Sequence, residues 1–180
     1  MAVIFIEGPY HSGKTLLYRH AISETQYTDM GVNDGRLCFY DVWADSIKKR
    51  AINDYERLLE AAARVRMVLD ISARHKLPNF VICGGPMSLI SEAYIIDNMP
   101  IVREMSDIFC NCDYQNVCVM SVSSDDDDHA IRDAYRQISS RHMSIMSDSG
   151  KHNSYRLLKY KDSDANRKFF INDLLALINN

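Results

Sequence analysis

Eight consecutive residues, Gly8-Pro9-Tyr10-His11-Ser12-Gly13-Lys14-Thr15, fit the spacing G-x-x-x-x-G-K-[ST] without a mismatch. The chemistry such a stretch supports is anion binding. Glycines at both ends let the backbone turn tightly, so that successive N–H groups converge into a nest. The positive end of a following helix adds to that field. The lysine reaches the β- and γ-phosphates of a nucleotide, and the Thr15 hydroxyl is placed to ligate Mg²⁺. The expectation is a nucleoside triphosphate site, most simply for ATP with Mg²⁺. It comprises Gly8, Pro9, Tyr10, His11, Ser12, Gly13, Lys14 and Thr15, with His11 free to point out of the nest. A chance match in a glycine-containing turn is the plain alternative, and so is a loop retained after catalysis was lost.

The loop works only if a buried strand enters it and a helix leaves it, and both are legible. Ala2–Glu7 is a continuous apolar run, as expected of a strand covered on both faces. Helix-forming residues follow from Lys14 to about Ser23. Arg36–Val42 reads as a second strand. In Asn53–His75, Tyr55, Leu58, Leu59, Ala62, Val65 and Leu69 recur at helical spacing. Phe80–Cys83 is a third strand, followed by Gly84-Gly85-Pro86. Ser88–Ile96 and Ile101–Phe109 read as helices broken near Pro100. Asn116–Val122, His129–Met146, Ser154–Tyr160 and Ala165–Ile178 read as strand, helix, strand and helix. Such alternation implies a parallel sheet with right-handed crossovers. The 180 residues suit a single domain, 1–180, with no linker long enough to divide it.

The totals exclude several classes. A net charge of −3 supplies no global field for nucleic acid. No run of about 18 apolar residues is present, so no membrane partner is expected. The N-terminus lacks the basic region of a signal peptide, and five cysteines are an odd count, so reduced thiols and a cytoplasmic location are expected. Cys38, Cys83 and Cys118 lie in apolar runs and read as small hydrophobes. Cys110, Cys112 and Cys118 lack the paired spacing of a zinc site.

The stretch Ile4-Phe-Ile-Glu-Gly-Pro-Tyr-His-Ser-Gly-Lys-Thr-Leu-Leu17 resembles the opening of thymidylate kinases and deoxynucleoside kinases, which also read apolar strand, Glu-Gly, then the loop. The order of elements is similar too. The resemblance implies a three-layer α/β P-loop kinase fold, with about five parallel strands and helices on both faces. It implies ATP-dependent transfer to a nucleoside or nucleotide acceptor, in particular a deoxynucleotide, and a homodimer. The short length suits a phage-encoded or bacterial member. Phe39-Tyr-Asp-Val-Trp43 matches a place where deoxynucleoside kinases set an acidic residue and a Trp against the acceptor, so Asp41 is a candidate base or orienting group. Its plain alternative is a helix cap. Val81 to Tyr94 resembles the third strand and following helix of the family, with Ser91-Glu92-Ala93-Tyr94 like a pattern in viral nucleotide kinases. Within Asp125–Arg141, part of a lid segment of about 125–150, Arg132 and Arg136 lie at i and i+4 and present lid cations on one helical face. Their alternative is a solvated face paired with Asp128 and Asp133.

One departure bears on mechanism. The resembling kinases carry an acidic residue and an Arg after the third strand, where this chain has Cys83-Gly84-Gly85. Either Glu7, Asp41 or a residue near Asp125 substitutes, or the glycines open room for a bulkier acceptor such as a nucleotide within DNA. Two further readings therefore stand beside the first. One is a kinase acting on a polynucleotide end or a modified base in DNA, favoured by any basic groove near Arg64, Arg66, Arg74 and Lys76. The other is a catalytically lapsed nucleotide-binding regulatory protein.

Overall fold

Each apolar run that bounds the loop becomes a strand whose alternate residues face opposite layers. In the computed structural model, Val3 and Phe5 of β1 (Val3–Glu7) pack into one core cluster, and Ile4 and Ile6 into a second. The same alternation holds in β3 (Asn79–Cys83): Phe80 and Ile82 enter the first cluster, Val81 and Cys83 the second. The period of two along a strand thus splits one apolar run between two layers. The structure describes residues 3–8, 12–27, 37–43, 53–74, 79–111, 117–123, 133, 135–138, 140–141, 155–159 and 163–179.

The remaining strands are β2 (Leu37–Asp41), β4 (Val117–Ser123) and β5 (Tyr155–Lys159), and the sheet order is β2-β3-β1-β4-β5. Every pairing is parallel, with Ile6 opposite Cys83 and Asp41 also opposite Cys83. Helices α2 (Asp54–Arg74), α3 (Pro86–Ile95) and α4 (Met99–Asn111) contribute to the first cluster. Helices α1 (Lys14–Tyr27) and α5 (Asp164–Asn179) contribute to the second. Helices therefore cover both faces of a five-stranded parallel sheet. The central strand β1 carries the loop at its C-terminal end, where the chain has neighbours β3 and β4 on either side. In open α/β sheets that end of the strands, at the point where the strand order reverses, is where ligands bind.

Two local outcomes differ from expectation, and a third adds detail. Helix α1 continues to Tyr27, past Ser23. The break before α4 falls at 96–98, not at Pro100, which sits in the first turn of α4. A proline there forfeits only an N–H that would have no partner. Asp97 takes φ 55 and the Asn98 side chain accepts a hydrogen bond from Ile101 N at 3.4 Å. The apolar stripe on α2 divides as well. Leu58, Ala61, Ala62, Val65 and Val68 are buried, whereas Tyr55 and Leu59 are exposed. Asn53 starts α2 by accepting from Glu56 N at 2.9 Å, and Asp54 and Glu56 favour the positive end of the helix.

Of the helix expected over 129–146, residues 133, 135–138, 140 and 141 are helical, and buried Tyr135 belongs to the first cluster. Arg132 and the Asp125–Asp128 run lie outside the described residues. No helix among the described residues is long and apolar enough to cross a membrane.

Candidate active site

The loop begins where β1 stops. Gly8 and Ser12 are buried, and the Ser12 hydroxyl has no hydrogen-bond partner among the described residues. Gly13 has φ 89, a backbone state that L side chains rarely adopt. Lys14, the first residue of α1, is only 7% exposed. Leu17 N donates to Gly13 O at 3.1 Å, so the three N–H groups before it have no acceptor within the helix. An unpartnered buried hydroxyl, a buried lysine and three such N–H groups fit a chain of phosphates. Pro9, Tyr10 and His11 lie outside the described residues.

Thr15 is exposed, and its Oγ1 accepts from Cys83 Sγ at 3.8 Å. The cysteine that ends β3 thus faces the start of α1. Burial, and next the Asp41 carboxylate, push the Cys83 thiol up to about 12, so it is neutral near pH 7. Asp41 ends β2 opposite Cys83, and its Oδ1 accepts from Trp43 N at 2.9 Å. Register therefore brings Asp41, Cys83 and Thr15 together.

Glu7 is not the substitute carboxylate. It is fully buried, and its Oε1 accepts from Met87 N at 3.0 Å while Oε2 accepts from Ser88 N at 3.0 Å and from the Ser88 hydroxyl. The Ser88 hydroxyl also lies 3.2 Å from Gly8 O. Glu7 is a distant cap for α3, whose own N-cap residue, Gly85, has no side chain for the task. Burial raises the Glu7 pKa, against the bonds from Ser88 and Met87 and the pull of Lys14.

Glu7→Gln should destabilise the fold by about 1–3 kcal/mol, since the new amide N–H₂ must face donors already aimed at oxygen. The sign with pH follows from the raised pKa. The folded chain holds the Glu7 proton more tightly than the unfolded chain, so this stabilisation is full below the unfolded pKa and is lost as pH rises through the folded one. The stability gap between wild type and Glu7→Gln should therefore widen as pH falls. Denaturant titrations across acid to neutral pH read this directly, and a gap that widens with rising pH contradicts it.

The two glycines after β3 do not open space. At Gly84, φ +83, an added Cβ meets Trp43 Nε1 at 2.7 Å; at Gly85 it meets Glu7 Oε1 at 2.5 Å and Phe5 Cδ1 at 2.6 Å. The room expected for a bulkier acceptor is filled by indole, carboxylate and phenyl groups. Glycine is required there because other side chains occupy the volume.

One residue not singled out from the sequence, Arg57, lies beside Glu92 of the Ser91–Tyr94 stretch. Arg57 of α2 lies over the Trp43 ring, 5.0 Å from its centroid, and pairs with Glu92 of α3 at 3.1 Å. The available signal was a glutamate within a helix that is otherwise mostly buried. Arg136 is exposed on the segment anchored by Tyr135. The expected basic groove on α2 is largely neutralised: Arg64 pairs with Glu60 at 2.9 Å and Arg66 pairs with Glu104. Arg74 is exposed, and Lys76 lies outside the described residues.

Among solved structures, the crystal structure of thymidylate kinase from Ehrlichia chaffeensis matches with a TM-score of 0.63, covering 99% of this chain and 98% of that one. The chain shares the fold of that thymidylate kinase. At 16% identity the likeness is one of fold alone. No protein-family model matches the chain, and no curated protein is similar in sequence. The phage origin gains no support from the kinase match.

Proposed function

We propose that this chain is an ATP-dependent phosphotransferase whose acceptor is a nucleoside or nucleotide, in particular a deoxynucleotide. The observation that carries the reading is the loop at the end of the central strand, with Lys14 and Ser12 buried and Thr15 against Cys83. The loop N–H groups, Ser12 and Lys14 hold the donor phosphates. Lys14 offsets the charge that develops as the γ-phosphoryl leaves. Thr15 is the residue that would hold magnesium, which would supply charge neutralisation on the donor phosphates. Asp41, opposite Cys83, orients the acceptor or takes its proton. As the acceptor oxygen bonds to the γ-phosphorus, the bridging P–O bond breaks and ADP leaves with the electron pair.

We treat 1–180 as one domain, with a lid over about 125–150 whose Arg132 and Arg136 neutralise the moving phosphoryl. Replacing both with Ala should lower kcat more than it raises KM for ATP, because such contacts form mainly in the transition state. Kinetics like wild type would remove the lid assignment.

The deciding experiment is a screen of nucleosides, nucleotides and DNA oligomers with labelled ATP. Transfer to a free nucleoside or nucleotide supports the reading. Transfer to DNA alone would move the acceptor to a polynucleotide. ATP binding without any transfer would favour a regulatory protein, for which the neutral Cys83 in place of a carboxylate is the relevant observation.

A further inference from the structure

The Ser88 hydroxyl has one proton and two acceptors within reach. It donates to Glu7 Oε2, and it lies 3.2 Å from the carbonyl oxygen of Gly8, the first residue of the loop. Glu7, Gly8 and Ser88 are all buried. One proton serves one of these acceptors at a time, and Glu7 decides which. As a carboxylate, Glu7 only accepts, so the Ser88 proton goes to Oε2. Gly8 O then faces the hydroxyl oxygen, a second acceptor, with no proton between them. Once Oε2 carries a proton of its own, it donates to Ser88 Oγ, and the hydroxyl turns its proton to Gly8 O. The N–H groups of Met87 and Ser88 keep their carboxyl acceptors in both states.

The charges around Glu7 connect this choice to the loop. Lys14 of α1 favours the ionised form, the Cys83 thiol of β3 is a neighbouring titratable group, and Ser121 of β4 stands opposite Glu7 in the sheet register. Lys14 also acts on Glu92 of α3, whose nearer partner is Arg57. Burial outweighs the bonds from α3 and the pull of Lys14, and the Glu7 pKa is raised. A polyphosphate on the loop brings negative charge to Lys14. That charge offsets the pull of the lysine on Glu7 and raises the pKa further. Polyphosphate binding and protonation of Glu7 therefore favour each other, and the coupling is reciprocal.

We propose that Ser88 is a positioning residue of the loop that acts as a proton-controlled clamp: it holds Gly8 O when Glu7 is protonated and releases it when Glu7 is ionised, so that the loop takes up a proton as it takes up a polyphosphate. This rests on the phosphotransferase reading above and adds a control of donor binding by pH. The step consumes one proton from solvent, which goes to Glu7 Oε2. The Ser88 O–H turns from Oε2 to Gly8 O, and no covalent bond between heavy atoms changes.

Binding of ATP with Mg²⁺, and of inorganic triphosphate, to the full chain is measured by calorimetry from acid to alkaline pH. Each titration is run in paired buffers that differ in heat of ionisation, which counts the protons taken up. Wild type, Ser88→Ala and Glu7→Gln are compared, with a thermal melt of each without ligand. The ligand's own protonation is common to all three and cancels in the comparison. Ser88→Ala should weaken ATP binding about three- to tenfold at the acid end, as loss of one hydrogen bond does, and hardly at all at the alkaline end. Wild type should take up more protons per ligand bound than Glu7→Gln. The amide of Glu7→Gln offers Ser88 a donor at every pH, so this variant should lose the pH dependence that wild type shows relative to it. Triphosphate should show the same differences as ATP, because the base takes no part in them.

A Ser88→Ala penalty that is equal at every pH would mark a static packing contact and overturn the proposal. Equal proton counts in wild type and Glu7→Gln would overturn it as well. Should Glu7→Gln fail to fold, the pH profile of the Ser88→Ala penalty decides alone. Binding without these differences removes the clamp and leaves the loop reading intact. If neither ATP nor triphosphate binds wild type, the loop reading falls and the clamp falls with it.

Discussion

Lys14→Ala is expected to abolish measurable phosphoryl transfer, a loss of about 10²–10³-fold or more, and to weaken ATP binding while leaving the fold intact. The lysine is 7% exposed at the start of α1, so its ammonium is already partly stripped of water before any nucleotide arrives. A cation held this way needs no reorganisation when charge develops on the transferring group, which is what makes it effective. Loop N–H groups are dipoles and do not replace a full charge. Two measurements check this: turnover on whichever acceptor the screen identifies, and ATP affinity by calorimetry. A circular dichroism melt separates loss of function from loss of fold. ATP affinity and turnover equal to wild type in a folded Lys14→Ala would overturn the loop assignment.

Asp41→Asn carries the second large effect. Its Oδ1 bond to Trp43 N can be kept by the Asn side-chain oxygen, so the turn after β2 should survive. What the change removes is the negative charge opposite Cys83 and Thr15. On a hydroxyl acceptor, turnover should fall roughly 10²-fold with ATP binding nearly unchanged, since a hydroxyl must lose its proton to react. A monophosphate is already ionised near neutral pH, so with that acceptor the loss should appear mainly in acceptor KM. Steady-state kinetics varied in each substrate read the difference, and unchanged kcat and KM would remove Asp41 from the site.

The loop and the order of elements were legible because both are written in short-range patterns. A strand buried on two faces reads as an unbroken apolar run, and Ala2–Glu7 became β1 (Val3–Glu7). Glycine, lysine and threonine at fixed offsets describe one turn that depends on its own backbone, so Gly8, Ser12, Gly13, Lys14 and Thr15 could be read as one stretch from spacing alone. Helix ends were less legible. The Pro100 break was misplaced because proline forbids a helix interior and not a first turn. The spacing on α2 gave the helix, Asp54–Arg74, but not which of its apolar residues a neighbouring layer covers; Tyr55 and Leu59 are exposed.

The sequence by itself determined that a G-x-x-x-x-G-K-T stretch stands between a buried strand and a helix in an alternating α/β chain. Only the tertiary structure decided which carboxylates are available to that loop. Glu7 is adjacent to Gly8 in the chain and looked available, yet it is consumed by Met87 and Ser88, about eighty residues away. Cys83 looked like simple core, yet its thiol meets Thr15. Gly84 and Gly85 looked like open space, yet Trp43, Phe5 and Glu7 fill it. Each outcome depends on β3 lying beside β1 and on β2 lying beside β3. Strand order of that kind is set by the burial of whole layers, and no local spacing encodes it. Arg57 and Glu92 meet for the same reason: α2 and α3 pack on the face that Val3, Phe5, Phe80 and Ile82 create.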